Sequence, residues 1–368
     1  MLKDKKKITF LIPSLSGGGS EGLCVNLANT LSQSGWEVNL IALNIKNSIY
    51  HDRLSKNVNF VILDVKHAVY SPYKIVKYLL ANKPNKILIF NYELTIVTIF
   101  IKMLLGLKIT IIARNRNTMS HVQNRPGGFW VKYIVNPLVK KFYGNADHII
   151  NQCEDMRDDL ITIYPKIIDK TSVIYNPINQ VIEEYSKTLD FAKPFSDEYL
   201  LCVGRLERQK AFHYAIEGFA RLTKEFSSLR LKIVGAGILE NNLKKCANDF
   251  GVRDRVDFEG FKKDIIPYYL GAKATLLTSL YEGFPNVLVE SLALGKPVVA
   301  FDCQSGPREI VLDSVNGYLV EYKNIDDLAE KLKISIKKKW DYVAVAESAE
   351  RFSMKNTIKA YEDRIRML

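Results

Sequence analysis

Two hydrophobic periods alternate along the chain. Apolar runs of four to six residues recur at Ile8–Pro13, Val38–Leu43, Phe60–Leu63, Ile87–Phe90, Ile109–Ala113 and His148–Asn151. Their length and character are those of strands buried in a parallel sheet. Between them the spacing becomes helical: Leu23, Leu27 and Leu31 share a face, and similar stretches lie around Tyr73–Leu80 and over Thr95–Leu104. Strand–helix alternation predicts a doubly wound parallel sheet. After a polar stretch, Gln180–Glu198, which reads as a linker, short apolar strands return at Tyr199–Gly204, Leu231–Val234, Ala274–Leu277 and Val298–Phe301. Ile358, Tyr361 and Ile365 give the last stretch, Met354–Leu368, helical spacing. The fold class predicted is α/β.

Length and composition narrow the class. At 368 residues, 47% hydrophobic and 25% charged, the chain suits a soluble protein with two full cores. The longest apolar stretch, Leu94–Leu107, is interrupted by Lys102 and Gly106, so no transmembrane helix is expected. The basic N-terminus leads straight into a strand, without the apolar core and cleavage site of a signal peptide. Five scattered cysteines without a CxxC point to buried thiols in a reducing cytoplasm rather than disulfides or zinc. The net charge of +12 is unevenly placed: residues 1–176 carry +11 and the remainder +1. A basic first half calls for a polyanionic partner. Nucleic-acid motifs are absent, so an anionic membrane is the expected partner and nucleic acid is not.

Candidate chemistry concentrates in Leu276–Ile310. An apolar strand exits at Thr278 and Ser279 into Tyr281-Glu282-Gly283-Phe284-Pro285. A helix is expected from Asn286 to Leu294, with Pro285 at its first position and Gly295 as its stop. Such a loop lies at the carboxyl end of a parallel strand, where open α/β sheets bind ligands. Glu282 and Glu290 frame it. Carboxylates accept hydrogen bonds from ribose and sugar hydroxyls, and the helix start offers N–H donors to sugar and phosphate oxygens. Arg205 and Lys210 stand at a second strand-to-helix loop. Two cations there suit a diphosphate leaving group, whose charge grows as its bond to the sugar breaks. An aromatic, apolar and basic segment, Phe129–Tyr143, includes Trp130, Lys132, Lys140 and Lys141. It supports two readings, a Pro-kinked helix packed on the sheet and a membrane-surface element.

EGFPNVLVESLALGKPVVAFDCQSGPREIV, residues 282–311, resembles the donor-site signature of the retaining glycosyltransferases of family 4, and further matches recur in order along nearly the whole chain. The resemblance implies a GT-B fold, two Rossmann-like domains facing a cleft. It places an acceptor-binding domain at 1–178, rejoined by a crossing helix at 354–368, and a nucleotide-sugar-binding domain at 179–353. It assigns ribose contact to Glu290, the diphosphate to Arg205 and Lys210, and the sugar to Glu282 with the backbone of Gly283, Phe284 and Pro285. Gly18 and Gly19 of the first glycine-rich loop would face the donor. Gly235 would lie beneath the nucleotide, Phe261 near the base, and Gly306 and Glu309 against sugar and phosphates. Many relatives have a His where Arg116 or Asn117 stands here, a departure from the family pattern.

The implied activity is transfer of a hexosyl or N-acetylhexosaminyl group, with retention, from a nucleotide-sugar, expected to be a UDP-sugar. No Asp-x-Asp pair occurs, and Arg205 and Lys210 can replace a metal electrostatically, so neither metal nor cofactor is expected. The basic first half suggests a lipid-linked sugar or glycan acceptor in capsule, O-antigen or related synthesis, met at the inner face of the plasma membrane by a peripheral, cytoplasmic enzyme. Alternatives are a transferase for soluble acceptors, a nucleotide-sugar epimerase of the same fold, and a non-catalytic scaffold in a polysaccharide assembly complex.

Overall fold

The structure, a computed structural model, describes residues 6–16, 19–46, 48–123, 131–192 and 199–368. The chain divides into two compact units. One comprises Met1–Tyr175 with Thr357–Leu368, and the other Asn176–Asn356.

The first unit holds seven strands: β1 (Lys7–Ile12), β2 (Glu37–Ala42), β3 (Asn59–Ile62), β4 (Lys86–Ile89), β5 (Thr110–Arg114), β6 (His148–Asn151) and β7 (Thr171–Val173). All pair in parallel, in the order β3-β2-β1-β4-β5-β6-β7. Strand β1 runs one residue earlier than its apolar run suggests. Lys7 pairs with Glu37, backbone to backbone and through a 2.6 Å ion pair, whereas Pro13 has no N–H for the ladder. Strand order reverses between β1 and β4, so their carboxyl ends open the crevice in which such sheets bind ligands. Helix Gly19–Gln33 leaves β1 there, and helix Tyr92–Leu105 leaves β4, capped by Asn91 accepting from Leu94 N at 2.9 Å.

The second unit holds six strands: β8 (Tyr199–Val203), β9 (Arg230–Val234), β10 (Val256–Gly260), β11 (Ala272–Leu277), β12 (Val298–Phe301) and β13 (Gly317–Val320). They too are all parallel, in the order β10-β9-β8-β11-β12-β13, which reverses between β8 and β11. Its core gathers Leu200, Leu231, Ile233, Leu276, Val299 and Phe301 with helix residues Ile216, Phe219 and Leu328.

Two sequence expectations are corrected, the linker at Gln180 and the place of Pro285. Gln180–Ser186 is helical rather than linker: Asn179 caps it by accepting from Val181 N at 3.0 Å, and Ile182 is buried. The unit boundary falls at Tyr175/Asn176, and the return to the first unit begins at Thr357, inside helix Met354–Met367. Pro285 is the residue before helix Asn286–Ala293, at ψ 84°, not its first turn. Gly295 takes the left-handed φ of +72° expected of a helix stop.

Candidate functional site

In the second unit the loops after β8 and β11 are stitched together. Leu280 N donates to Gln209 O at 2.8 Å, Gln209 Nε2 to Tyr281 O at 3.0 Å, and Thr278 Oγ1 to Lys210 O at 3.2 Å. That network sets Lys210 Nζ 2.7 Å from Glu282 Oε1, and Ser279 Oγ donates to the same oxygen at 2.6 Å. Both charged side chains are largely buried, Lys210 15% and Glu282 8% exposed. A buried pair of this kind holds only while both partners and their extra hydrogen bonds are in place.

Glu290 enters from helix Asn286–Ala293. The Tyr269 hydroxyl donates to its Oε2 at 2.9 Å. Burial pushes the Glu290 carboxyl up to about 7, opposed by the Tyr269 hydrogen bond and the Lys210 charge. Lys210 therefore reaches both carboxylates electrostatically. The loop after β12 closes the group: Glu282 N donates to Gln304 O at 3.0 Å.

Glycines make these approaches possible. A Cβ on Gly235, at φ +144°, would lie 1.8 Å from Gly204 O, so the β9 and β8 loops meet backbone to backbone. A Cβ on Gly306, at φ +97°, would lie 2.5 Å from Pro285 Cδ. The Gly283–Pro285 turn is thus backed by the Gly306 backbone.

The remaining sequence-predicted residues sit differently. Arg205 is 68% exposed and pairs with Glu207 at 3.0 Å, apart from the Lys210–Glu282 pair. Phe261 is 79% exposed. Phe284 is buried against Phe352, ring centres 5.5 Å apart, so its ring is committed to packing. Glu309 N donates to Gly306 O at 3.1 Å, and Glu309 O accepts from Arg351. In the first unit Gly19 begins its helix at an exposed position. Arg116 lies 3.9 Å from Glu21, and burial lowers its pKa despite that carboxylate. Lys132, Lys140 and Lys141 are exposed. Gly18 and Trp130 lie outside the described residues.

The charged cluster after β5 divides in two. Arg114 is 2% exposed and acts as a strut: Nε donates to Tyr361 Oη and Nη1 to Ser20 Oγ, each at 2.8 Å. Beside it Glu21 is 8% exposed, and its Oε2 has no hydrogen-bond partner among the described residues. Sequence reasoning missed Tyr269, Ser279 and Glu21. Tyr269 sits 21 residues from Glu290, and no local pattern announces that pairing.

Among the described residues, no cluster of three or more His, Cys, Asp or Glu side chains could hold a metal ion. None of the described helices is long and apolar enough to cross a membrane. The cysteines are free; four are buried and Cys246 is half-buried.

Comparison with known proteins points one way. The family Glycosyl transferases group 1 matches residues 186–357, and Glycosyltransferase Family 4 matches 17–180. The chain is 29% identical over 350 residues, 89% of each protein, to the Campylobacter jejuni N-acetylgalactosamine-N,N'-diacetylbacillosaminyl-diphospho-undecaprenol 4-alpha-N-acetylgalactosaminyltransferase. Among solved structures, the apo form of the lipopolysaccharide outer core galactosyltransferase WaaB superposes with a TM-score of 0.78 at 22% identity, covering 98% of this chain and 99% of that one. Anabaena HepE in complex with UDP superposes at 0.76 with 19% identity, covering 98% and 100%.

Proposed function

The chain belongs to the group 1 and family 4 glycosyltransferases of GT-B fold, and from that premise we propose that it moves a sugar, with retention, from a nucleotide-sugar to a lipid-linked sugar or glycan. The observation that carries the donor half is the pairing of buried Lys210 and Glu282 close enough to Glu290 for Lys210 to lower its pKa. Lys210 supplies positive charge where a leaving diphosphate gathers negative charge. Arg205, exposed and paired with Glu207, joins it when the diphosphate arrives. Glu290 Oε2 is held by Tyr269, and its other oxygen accepts from the ribose. Glu282, with the backbone of Gly283–Pro285, receives the sugar hydroxyls, and Gly235, Phe261, Gly306 and Glu309 complete the donor surface.

Glu282 Oε1 already accepts from Lys210 and Ser279, which makes it a poor nucleophile. We therefore favour front-face displacement, in which the leaving phosphate takes the acceptor's proton, over a covalent glycosyl-enzyme. Lys210 and Arg205 do the electrostatic work of a metal, so the reaction proceeds without one. The acceptor half rests on the +11 charge of residues 1–176 and on the Campylobacter relative, which acts on a diphospho-undecaprenol-linked sugar. The enzyme then works as a peripheral protein at the cytoplasmic membrane face, with the exposed Lys132, Lys140 and Lys141 toward the headgroups. The Anabaena fold neighbour carries UDP, and a UDP-sugar is the donor to test first.

A thermal-shift panel of UDP-, GDP- and dTDP-sugars in EDTA tests the donor half, because a ligand that binds only the folded state raises its melting temperature by mass action. A shift with UDP-sugars that is lost in Glu290→Ala is expected. No shift with any sugar nucleotide contradicts the reading.

A further inference from the structure

The first unit contains a cavity of about 360 Å³ that no donor-site residue touches. Its size is within the roughly 300–1,000 Å³ of small-molecule sites. Ile96 and Val97 of helix Tyr92–Leu105 form one wall, and Val131, Ile134, Val135 and Leu138 form another. No lysine or arginine lines it; its polar groups are His67, Tyr70 and Glu93, and burial raises the Glu93 pKa against the opposing charge of His67. Such a lining gives water few partners and repels a phosphate, but accepts hydrocarbon.

Two observations say which hydrocarbon. The turn Val131–Val135 and helix Asn136–Phe142 are split by face: Val131, Ile134, Val135 and Leu138 line the cavity, whereas Lys132, Lys140 and Lys141 are exposed. One element thus offers an apolar interior and a cationic exterior, complementary to a molecule with a hydrocarbon tail and an anionic head. Helix Tyr92–Leu105 continues the apolar surface outward. Beyond Ile96 and Val97, the next turns on that face carry Phe100, Met103 and Leu104, the last two 60% and 86% exposed. Phe100 packs on Phe142, ring centres 4.6 Å apart, which joins this stripe to the lysine-bearing helix.

We propose that the cavity seats the hydrocarbon chain of an isoprenoid-diphosphate-linked acceptor, with its diphosphate outside near Lys132, Lys140 and Lys141; this rests on the lipid-linked reading above. The stripe through Phe100 to Leu104 is the path along which the chain passes between bilayer and cavity. The headgroup and its sugars then stay in water, where transfer takes place.

The test uses farnesyl diphosphate with a diazirine on its terminal isoprene, photolysed with the full chain and mapped by peptide mass spectrometry. Adducts are expected within 92–105 and 131–142, competed by unlabelled farnesyl diphosphate but not by inorganic diphosphate. They should fall at least tenfold in Val97→Trp and Ile134→Trp, which fill the cavity. UDP binding and the melting temperature of each variant report on folding, and if both variants melt early the wild-type adduct map decides. Adducts elsewhere, or adducts undiminished in a well-folded filled variant, overturn the proposal. So does competition by phosphatidylglycerol vesicles with none by farnesyl diphosphate, which would make the cavity a site for bilayer acyl chains. Wild-type transfer to a long-chain lipid acceptor without cavity adducts removes this inference alone. Transfer to water-soluble acceptors only removes the functional reading beneath it.

Discussion

The Tyr269 hydroxyl donates to Glu290 Oε2 at 2.9 Å, and no other described residue hydrogen-bonds the Glu290 carboxylate. The pairing orients a carboxyl group that burial holds near pH 7. Because that value is raised above the ordinary 4.5, the folded state holds its proton longer than the unfolded chain does. The resulting stability is fully present below about pH 4.5 and is lost as the pH rises through about 7. Glu290→Gln should therefore melt later than wild type at pH 8, by on the order of 2 kcal/mol, and the gain should vanish near pH 4.5. Urea unfolding at the two pH values checks this, and equal stability at pH 8 contradicts it.

Affinity for a UDP-sugar, whose phosphates do not titrate near neutrality, should rise with pH through about 7 as Glu290 ionises. Tyr269→Phe should move that midpoint upward, since the hydrogen bond that favours the charged form is gone. Isothermal titration from pH 5.5 to 8.5 reads the midpoint. A flat profile in wild type would remove Glu290 from ribose contact.

Lys210→Ala should cost turnover about a hundredfold, as loss of a donor to developing charge typically does. It should also cost stability, on the order of 3 kcal/mol, because it strands Glu282 in a buried position. Ser279→Ala leaves the ion pair intact and should lower turnover far less. Steady-state kinetics with a melting curve for each variant separate the two effects. Full activity in Lys210→Ala would show that the pair is structural.

Gly235→Ala and Gly251→Ala form a controlled comparison. Both positions have positive φ, but a Cβ at Gly251 meets nothing within 4 Å and one at Gly235 meets Gly204 O at 1.8 Å. Gly251→Ala should cost about 1 kcal/mol, the backbone penalty alone. Gly235→Ala must also push the β8 loop, and with it the run toward Lys210, so UDP binding should fall at least tenfold. Equal UDP affinity in the two variants would mean that the β8 loop yields without moving the site.

Much of this architecture was legible in the chain. Strands β6 and β12 match their predicted runs, since both are buried along their full length, β6 between Asp147 and Gln152 and β12 between Pro297 and Asp302. Ends were less legible where polar groups are buried for tertiary reasons. The first helix begins at Gly19, four residues before Leu23 opens its hydrophobic spacing, because Ser20 and Glu21 turn inward to Arg114 and Arg116. Arg114 is a buried strut to Tyr361, a partner 247 residues away that no local pattern announces. The donor loops were visible as glycines and charges at strand ends, but the stitching of Gln209 to Tyr281 and of Tyr269 to Glu290 depends on strand order. That order is a property of the sheet rather than of any stretch of sequence.

On the membrane side, replacing Lys132, Lys140 and Lys141 with Glu should weaken sedimentation with anionic liposomes by on the order of a hundredfold, and added salt should weaken wild-type binding in the same direction. Transfer to a water-soluble short-chain acceptor should stay near normal. Undiminished sedimentation would place the membrane contact elsewhere.

The account turns on transfer itself. Purified protein, a UDP-α-sugar and an isoprenoid-diphosphate-linked sugar in EDTA, followed by proton NMR of the anomeric signal, test it most directly. The account predicts UDP release matched mole for mole by a new α-glycoside on the lipid-linked acceptor, with no metal added. A β-linked product, a strict requirement for Mg²⁺ or Mn²⁺, or UDP-sugar that stays intact with every nucleotide-sugar and acceptor offered would contradict it.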